Sequence, residues 1–331
     1  FFVRDQITMD SNDFQIRLIN NEKGKGLFAV RSFKYGDTIL EEKPIICCQF
    51  SWNLDYGYLA YDNCLKPLET AEENNAAKQC PECGTKYCSI ECQNDAYLRY
   101  HSTICLQSRK KDESRPLVQL NETWKQMHYP PESATVMLLI KMVFLVNQAD
   151  NKEEMLSTFS QFCHRTVNDT HEIGHKLLGE KFIGQIEVLR QMMQKAVNIE
   201  FTEHWFTPEG FKSLLALVGT NGQGIGTSAF SRSGLYIFQS SINHSCVPNA
   251  VVEFPYSNNV LVLKAIRDIH PEEEICISYL DECCLERSRH SRQKDLSSLY
   301  LFHCYCNKCL SQVNDPDLTS EGEIDDDDIS S

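Results

Sequence analysis

Three cysteines crowd the end of the chain in Cys304-Tyr305-Cys306-Asn307-Lys308-Cys309, and this C-x-C-x2-C run constrains the fold more than any other feature. Thiols so tightly spaced do not suit the ordinary core of one strand or helix. They do suit tetrahedral zinc, which needs a fourth ligand. Cys246, in Asn243-His244-Ser245-Cys246-Val247-Pro248-Asn249, is the natural candidate. A metal shared by Cys246, Cys304, Cys306 and Cys309 would pull the chain end back over the Asn243 turn. It would also gather Phe302, Tyr300 and Tyr279 around one pocket, Tyr279 being the close of Glu273-Glu274-Ile275-Cys276-Ile277-Ser278-Tyr279.

A second block holds Cys64, Cys80, Cys83, Cys88, Cys92, His101 and Cys105. His101 and Cys105 are four apart, as are Cys88 and Cys92, so on a helix from Ser89 each pair shares a face and can bind one ion. The 16 Cys could instead be a secreted disulfide framework. A histidine within the series, metal-like spacings and the lack of a signal peptide favour zinc in a reducing cytoplasm or nucleus. Cys47, Cys48, Cys163, Cys276, Cys283 and Cys284 are expected to be small buried hydrophobes. To join the terminal metal, Cys283 and Cys284 would have to displace Cys304 or Cys306.

The 331 residues, 42% hydrophobic, suffice for a sizeable core in two or three sub-domains. A net charge of −14 argues against an intrinsic duplex-DNA binder and suits a basic partner such as a lysine-rich tail. The most apolar run, Ala134 to Val146, contains Lys141 and is too short for a bilayer, so it reads as a buried helix with no membrane span expected.

Along the chain, residues 13–50 read as strand, turn, strand. Lys23 to Ala29 fits G-x-G-x-x-A, a dinucleotide fingerprint, but Tyr35-Gly36-Asp37 breaks any following helix and no βαβ unit follows. From about Glu113 to Gly210 the pattern is helical. Ile173, Leu177, Phe182, Ile186, Leu189, Met193 and Val197 form an amphipathic stripe, and His164, His171 and His175 scatter without a third ligand beside the i,i+4 pair. Phe211 to Gly219 reads as a strand, followed by a Gly-rich loop from Thr220 to Gly226 that lacks the Lys and Ser or Thr of a P-loop. Short strands are expected at Leu235–Phe238, Ala250–Val252, Val260–Leu263 and Ile275–Ile277, giving an α+β chain with a compact β core. The acidic stretch Ser320 to Ser331 reads as a solvated tail.

Taken together, Asn-His-Ser-Cys-x-Pro-Asn, the Glu-Glu run ending in Tyr279 and the terminal C-x-C-x2-C resemble the SET-domain protein lysine methyltransferases, and the second cysteine block resembles the MYND zinc module. The similarity is greatest to the fifth branch of the SET-and-MYND group, which lacks the large helical C-terminal domain. The resemblance implies a split SET domain (1–57 and 211–281), a MYND finger (61–105), a helical SET insert (106–210), a post-SET zinc segment (282–311) and an acidic tail (312–331). It implies S-adenosylmethionine as methyl donor, leaving S-adenosylhomocysteine, with contacts from Lys23, Gly24 and Lys25 mainly through backbone, and from Asn221, Asn243, His244, Tyr279 and Phe302. Tyr279 would orient the target amine, Tyr300 would wall the lysine channel and Phe302 would stack on adenine.

The interleaved MYND pairing would give Cys80, Cys83, His101 and Cys105 one zinc. It leaves Cys64, Cys88 and Cys92 a second, for which Tyr61 stands where the pattern has a cysteine. That site is left to complete itself with Asp62 or water, or to be weak or empty, so up to three zinc ions are expected. The expected activity is methylation of lysines on histones or other basic proteins by a monomer. The competing readings are a catalytically silent zinc scaffold that recruits proline-rich partners, and a nucleotide-dependent oxidoreductase built on Gly24 and Gly26.

Overall fold

The computed structural model describes residues 12–20, 23–50, 53, 58–68, 77–105, 114–127, 135–162, 186–226 and 232–316. Several expectations lie outside them: Cys163, His164, His171, His175, the 173–185 part of the helical stripe and the acidic stretch from Ser320. The chain divides into two units, 1–39 with 242–251 and 264–331, and 40–241 with 252–263. It passes from one to the other within the strands Thr38–Glu42, Ala250–Glu253 and Leu261–Ala265.

The first unit is built on a hairpin, Phe14–Asn20 against Gly24–Ala29, with a bulge between Leu18 and Asn20. Glu274–Ile277 adds antiparallel to the second strand, and Asn243–His244 pairs parallel with Glu274–Ile277, Cys276 opposite Asn243 and Ile277 opposite His244. The G-x-G-x-x-A stretch is therefore a strand between two partners. With no helix after it to present an N-terminus to a pyrophosphate, the dinucleotide reading falls. Leu27, Ala29 and Ile275 fill the core under this sheet. Beyond it lie two helices, Glu282–Leu285 and Arg289–Tyr300. Ser288 caps the second by accepting from Ser291 N–H at 3.2 Å, and Leu301 ends it in a left-handed conformation.

In the second unit, Ile46–Gln49 pairs antiparallel with Arg232–Leu235, which pairs with Gln223–Gly224. The helices Pro116–Met127, Thr135–Gln148, Lys152–Ser160, Ile186–Ala196 and Pro208–Asn221 occupy the helical stretch. On the helix Thr135–Gln148, Val136 and the run from Leu138 to Val146 are buried, as the apolar pattern predicts. Lys141 is buried with it, its Nζ 3.2 Å from the Cys47 carbonyl, 3.3 Å from Asp62 Oδ1 and 4.3 Å from the Tyr100 ring centroid. Among the described residues no helix is long and apolar enough to cross a membrane.

Two expectations are corrected here. Phe211–Gly219 is helical, inside Pro208–Asn221. Leu214 to Val218 are buried consecutively, and an apolar run without periodicity cannot separate strand from helix. The deciding signal is local: Thr207 Oγ1 accepts from Gly210 N–H at 3.0 Å, and Pro208 stands at the first helical position. The strand expected over Leu235–Phe238 stops at Leu235. Buried Glu42 accepts from the Phe238 and Gln239 amides at 2.9 and 3.0 Å, turning the chain into a short 3-10 helix, Gln239–Ser241.

Burial pushes the Glu42 carboxyl up to about 7, against the backbone amides that favour its charged form. Its folded pKa thus exceeds its unfolded one. Between about pH 5 and 7 the folded state holds the proton longer, so this group contributes stability at acid pH that is lost as pH rises. Thermal unfolding at pH 5 and pH 8 is expected to show a larger drop for the wild type than for Glu42→Gln. Equal drops would mean that Glu42 titrates alike in both states.

Candidate active site and metal centres

Asn249 locks the turn that carries Asn243, His244 and Cys246. Its buried amide accepts from Cys276 N–H at 2.7 Å and donates to the Glu274 carbonyl at 2.8 Å, while its own N–H reaches the Cys276 carbonyl. Ser245 N–H donates to the Ile277 carbonyl at 2.9 Å. Asn243 Nδ2 donates to the Lys25 carbonyl and to Glu274 Oε1, both at 2.9 Å, and Glu274 Oε2 takes Lys23 Nζ at 2.5 Å. A Cβ on Gly26 would stand 2.7 Å from Ile19 Cδ1 and 3.1 Å from both Asn243 Nδ2 and Glu274 Oε1, so a side chain there would require the Ile19 tip to move and would crowd this network. Gly24, at φ +73°, supplies the left-handed residue that opens the second strand. Lys23 N–H is held by Asn20 Oδ1 at 2.6 Å. Both lysines thus have polar groups engaged within the hairpin and its neighbours.

The phenol of Tyr279 donates to the Ile242 carbonyl at 2.6 Å, and that of Tyr300 donates to the Tyr279 carbonyl at 3.2 Å. The two rings lie 4.9 Å apart, and Phe302 stands edge-on to Tyr279 at 6.1 Å. His244 joins this aromatic cluster, 5.5 Å from Tyr279 and 6.1 Å from Phe302. Its Nδ1 accepts the Tyr279 N–H at 2.9 Å and its Nε2 lies 3.4 Å from Cys246 Sγ. Burial pushes the imidazole down to about 4, so it is neutral at physiological pH and holds the Tyr279 backbone in place. Burial raises the Tyr300 phenol, with the Asp281 carboxylate adding to the effect.

The sequence-predicted residues Lys23, Gly24, Lys25, Asn243, His244, Tyr279, Tyr300 and Phe302 thus belong to one unit. Asn221 belongs to the other, at the end of Pro208–Asn221, where its buried amide donates to the Leu217 carbonyl at 2.8 Å. Sequence reading quoted Asn249 without a role and did not single out Arg292 or Gln293. Gln293 clamps Cys304 from both sides, taking its N–H at 2.9 Å and donating to its carbonyl at 2.6 Å.

Three ligand groups converge, each with its donor atoms within 4.8 Å of one another: Cys246, Cys304, Cys306 and Cys309; Cys80, Cys83, His101 and Cys105; and Cys64, Cys88 and Cys92. In the first, Cys246 Sγ lies 3.5 Å from Cys309 and 4.0 Å from Cys304. Shared hydrogen bonding with Cys246 raises the Cys304 thiol and lowers that of Cys306, the behaviour of sulfurs that cannot all ionise together without a cation. In the second, Cys80 is 3.7 Å from Cys105, and Cys83 is 3.5 Å from His101 Nε2. Gly84, at φ +80°, makes the tight turn of the C-x2-C knuckle. Both four-ligand sets have the soft donors and number that tetrahedral zinc requires. Cys283 and Cys284 stand in their own short helix with sulfurs 4.0 Å apart, outside the terminal group.

The third group gains no fourth ligand among the described His, Cys, Asp and Glu residues. Asp62 is committed elsewhere, to the Tyr100 hydroxyl at 2.8 Å and to Lys141. Tyr61 is buried, and burial first, then the Cys88 and Cys64 thiolates, raise its phenol, so it does not ionise to take a metal at neutral pH. A hydrogen bond from Cys64 lowers the Cys92 thiol to about 6.

The SET domain family model matches residues 24–280. The protein-lysine N-trimethyltransferase SMYD5 of Gallus gallus is 45% identical over 381 residues, covering 94% of this chain and 91% of its own. Its Homo sapiens counterpart is 43% identical, covering 93% and 88%. The human histone-lysine N-methyltransferase SMYD3 is 28% identical over 91% of this chain and 63% of its own length.

Metal analysis during titration with a chelator is expected to find two tightly held zinc ions and a third that leaves first. Tyr61→Cys is expected to slow that fast release. Three equally tight ions in the wild type would overturn the assignment of an incomplete third site.

Proposed function

The chain belongs to the SET-domain family, and from that membership we infer a protein-lysine N-methyltransferase whose reacting centre lies at the Tyr279 phenol. The observation that carries this reading is the phenol's anchorage. Its hydrogen is donated to the Ile242 carbonyl at 2.6 Å, which fixes the ring and leaves the phenol oxygen to act as an acceptor toward a substrate N–H. S-adenosylmethionine, when bound, would supply a methyl group on a cationic sulfur: the amine nitrogen bonds to that carbon in line as the carbon–sulfur bond breaks, and the neutral thioether of S-adenosylhomocysteine leaves. The chain's part is alignment: an amine N–H donated to Tyr279 Oη would fix the nitrogen lone pair toward the methyl, the near-attack arrangement that supplies the orientational part of the acceleration.

Tyr300 and Phe302 do the rest. Their rings, with Tyr279, form an aromatic wall whose apolar surface disfavours the charged ammonium and so favours the neutral amine. Asn243 and the strand Gly24–Ala29 supply amide and carbonyl groups on the same sheet, which supports a donor site there. His244 takes no part as a base, since both ring nitrogens face partners. The net charge of −14 supports a basic protein substrate, a histone tail or another lysine-rich segment.

Zinc at Cys246, Cys304, Cys306 and Cys309 would fix the segment bearing Tyr300 and Phe302. Zinc at Cys80, Cys83, His101 and Cys105 would hold the module in the other unit, whose exposed Tyr97 and Leu98 support a proline-rich partner. Reactive thiol ligands of this kind fit a cytoplasmic and nuclear protein.

The test is labelled methyl transfer to a panel of basic proteins, with calorimetric binding of S-adenosylmethionine alongside. Tyr279→Phe is expected to lose on the order of 10²-fold in turnover while retaining donor affinity. Unchanged turnover would leave the phenol without a role, whereas no transfer by the wild type to any protein of the panel would favour a scaffold that needs only the metal sites.

A further inference from the structure

A tetrathiolate zinc centre carries a net charge of −2, and three of these four cysteines, Cys246, Cys304 and Cys309, are almost wholly buried. Such a charge is costly in a low-dielectric interior unless hydrogen bonds or an opposite charge answer it. Arg292, on the helix Arg289–Tyr300, is fully buried beside it. Its Nε points to Cys246 Sγ at 3.3 Å and its Nη2 to Cys309 Sγ at 3.7 Å. The remaining donors are held in place: Nη2 also donates to Gln312 Oε1 at 2.7 Å and Nη1 to the Arg287 carbonyl. The guanidinium fork is thus fixed at both ends, with two of its edges turned to sulfur.

We propose that Arg292 is the built-in countercharge of the terminal metal site, holding the Cys246 and Cys309 thiolates in the geometry that binds the ion. This rests on the metal-site part of the reading above and not on methyl transfer. Two features separate it from a packing role. A buried arginine whose neighbours are sulfurs, a carbonyl and an amide has its charge answered by the thiolates. Its planar fork also spans ligands from two distant segments, Cys246 and Cys309, which a single ammonium cannot do. The adjacent Gln293 holds the Cys304 backbone, so one helix turn grips three of the four ligands and, at its far end, carries Tyr300.

The proposal makes Arg292 a positioning residue with a spectroscopic signature. N–H to S hydrogen bonds draw electron density from thiolate, so a cobalt-substituted wild-type protein should show its sulfur-to-cobalt charge-transfer band at higher energy than Arg292→Met. In chelator release the variant should move a second equivalent of zinc into the fast fraction, with about a tenfold loss of retention at the terminal site. Arg292→Lys, which keeps a cation without the fork, should fall between the two. It carries the test if the methionine variant does not fold. A folded variant whose cobalt band and zinc release match the wild type would overturn the proposal. A wild-type protein that takes up no metal at Cys246, Cys304, Cys306 and Cys309 would overturn the metal reading itself, and with it this one.

Discussion

Closure of the chain end by sulfur is the constraint on which the reacting centre depends. Cys246 and Cys304 are 58 residues apart, and bringing the ends of such a loop together costs about 4 kcal/mol of chain entropy. Few apolar side chains are there to offset it: Leu280 and Leu296 are the fully buried aliphatics of this cluster, with Tyr279, Tyr300 and Phe302 packed against it half-buried. A structural zinc contributes on the order of 10 kcal/mol or more to a folding segment. Zinc at these four sulfurs would therefore be the main term ordering the post-Tyr279 segment, and with it the aromatic wall.

What the metal closes, a polar latch aligns. Asn249 joins its turn to Glu274–Ile277, Glu274 joins Asn243 to Lys23, and His244 takes the Tyr279 amide. Each of these groups lies within or beside the sheet that starts with the hairpin, so the phenol, its carbonyl anchor and the glycine strand are tied to one sheet. Gly26 suits that arrangement, because a Cβ there would press on Asn243 Nδ2 and Glu274 Oε1, each 3.1 Å away.

Much of this was legible in the sequence because it depends on spacing. C-x-C-x2-C, C-x2-C and the His101/Cys105 interval are short-range patterns with few chemical solutions, and the structure brings together the groups that the resemblance to SET and MYND modules implies. The departure at Tyr61 was legible too, as a cysteine missing from a ligand series. Less legible were features that depend on tertiary partners. Arg292 reads as a surface charge in Arg289-His290-Ser291-Arg292-Gln293, a helix with no apolar stripe, yet it is fully buried because sulfurs from distant segments meet it. Glu42 is likewise an ordinary strand glutamate until two amides turn toward it and end the following strand early. Phe211–Gly219 failed for a different reason: a run buried all round has no period to read, and its decisive signal lay before it, in Thr207 and Pro208.

The electrostatics of the first unit bear on how an amine becomes nucleophilic there. Among the described residues, His244 is the imidazole of the aromatic cluster. Its ring is buried, neutral and turned to the Tyr279 amide and Cys246, so it has no lone pair to spare for a proton. Tyr279 has already given its hydroxyl hydrogen to a carbonyl, and the resulting oxygen can accept a hydrogen bond without becoming charged. A site built this way does not remove a proton by a strong base. On the proposed reading, apolar walls and the donor's positive charge would disfavour the ammonium, its proton would pass to solvent as the amine enters, and the neutral amine would be held by one hydrogen bond. The arrangement works only if the walls exclude water, which returns the burden to Tyr300 and Phe302, and through them to the four sulfurs that hold their segment in place.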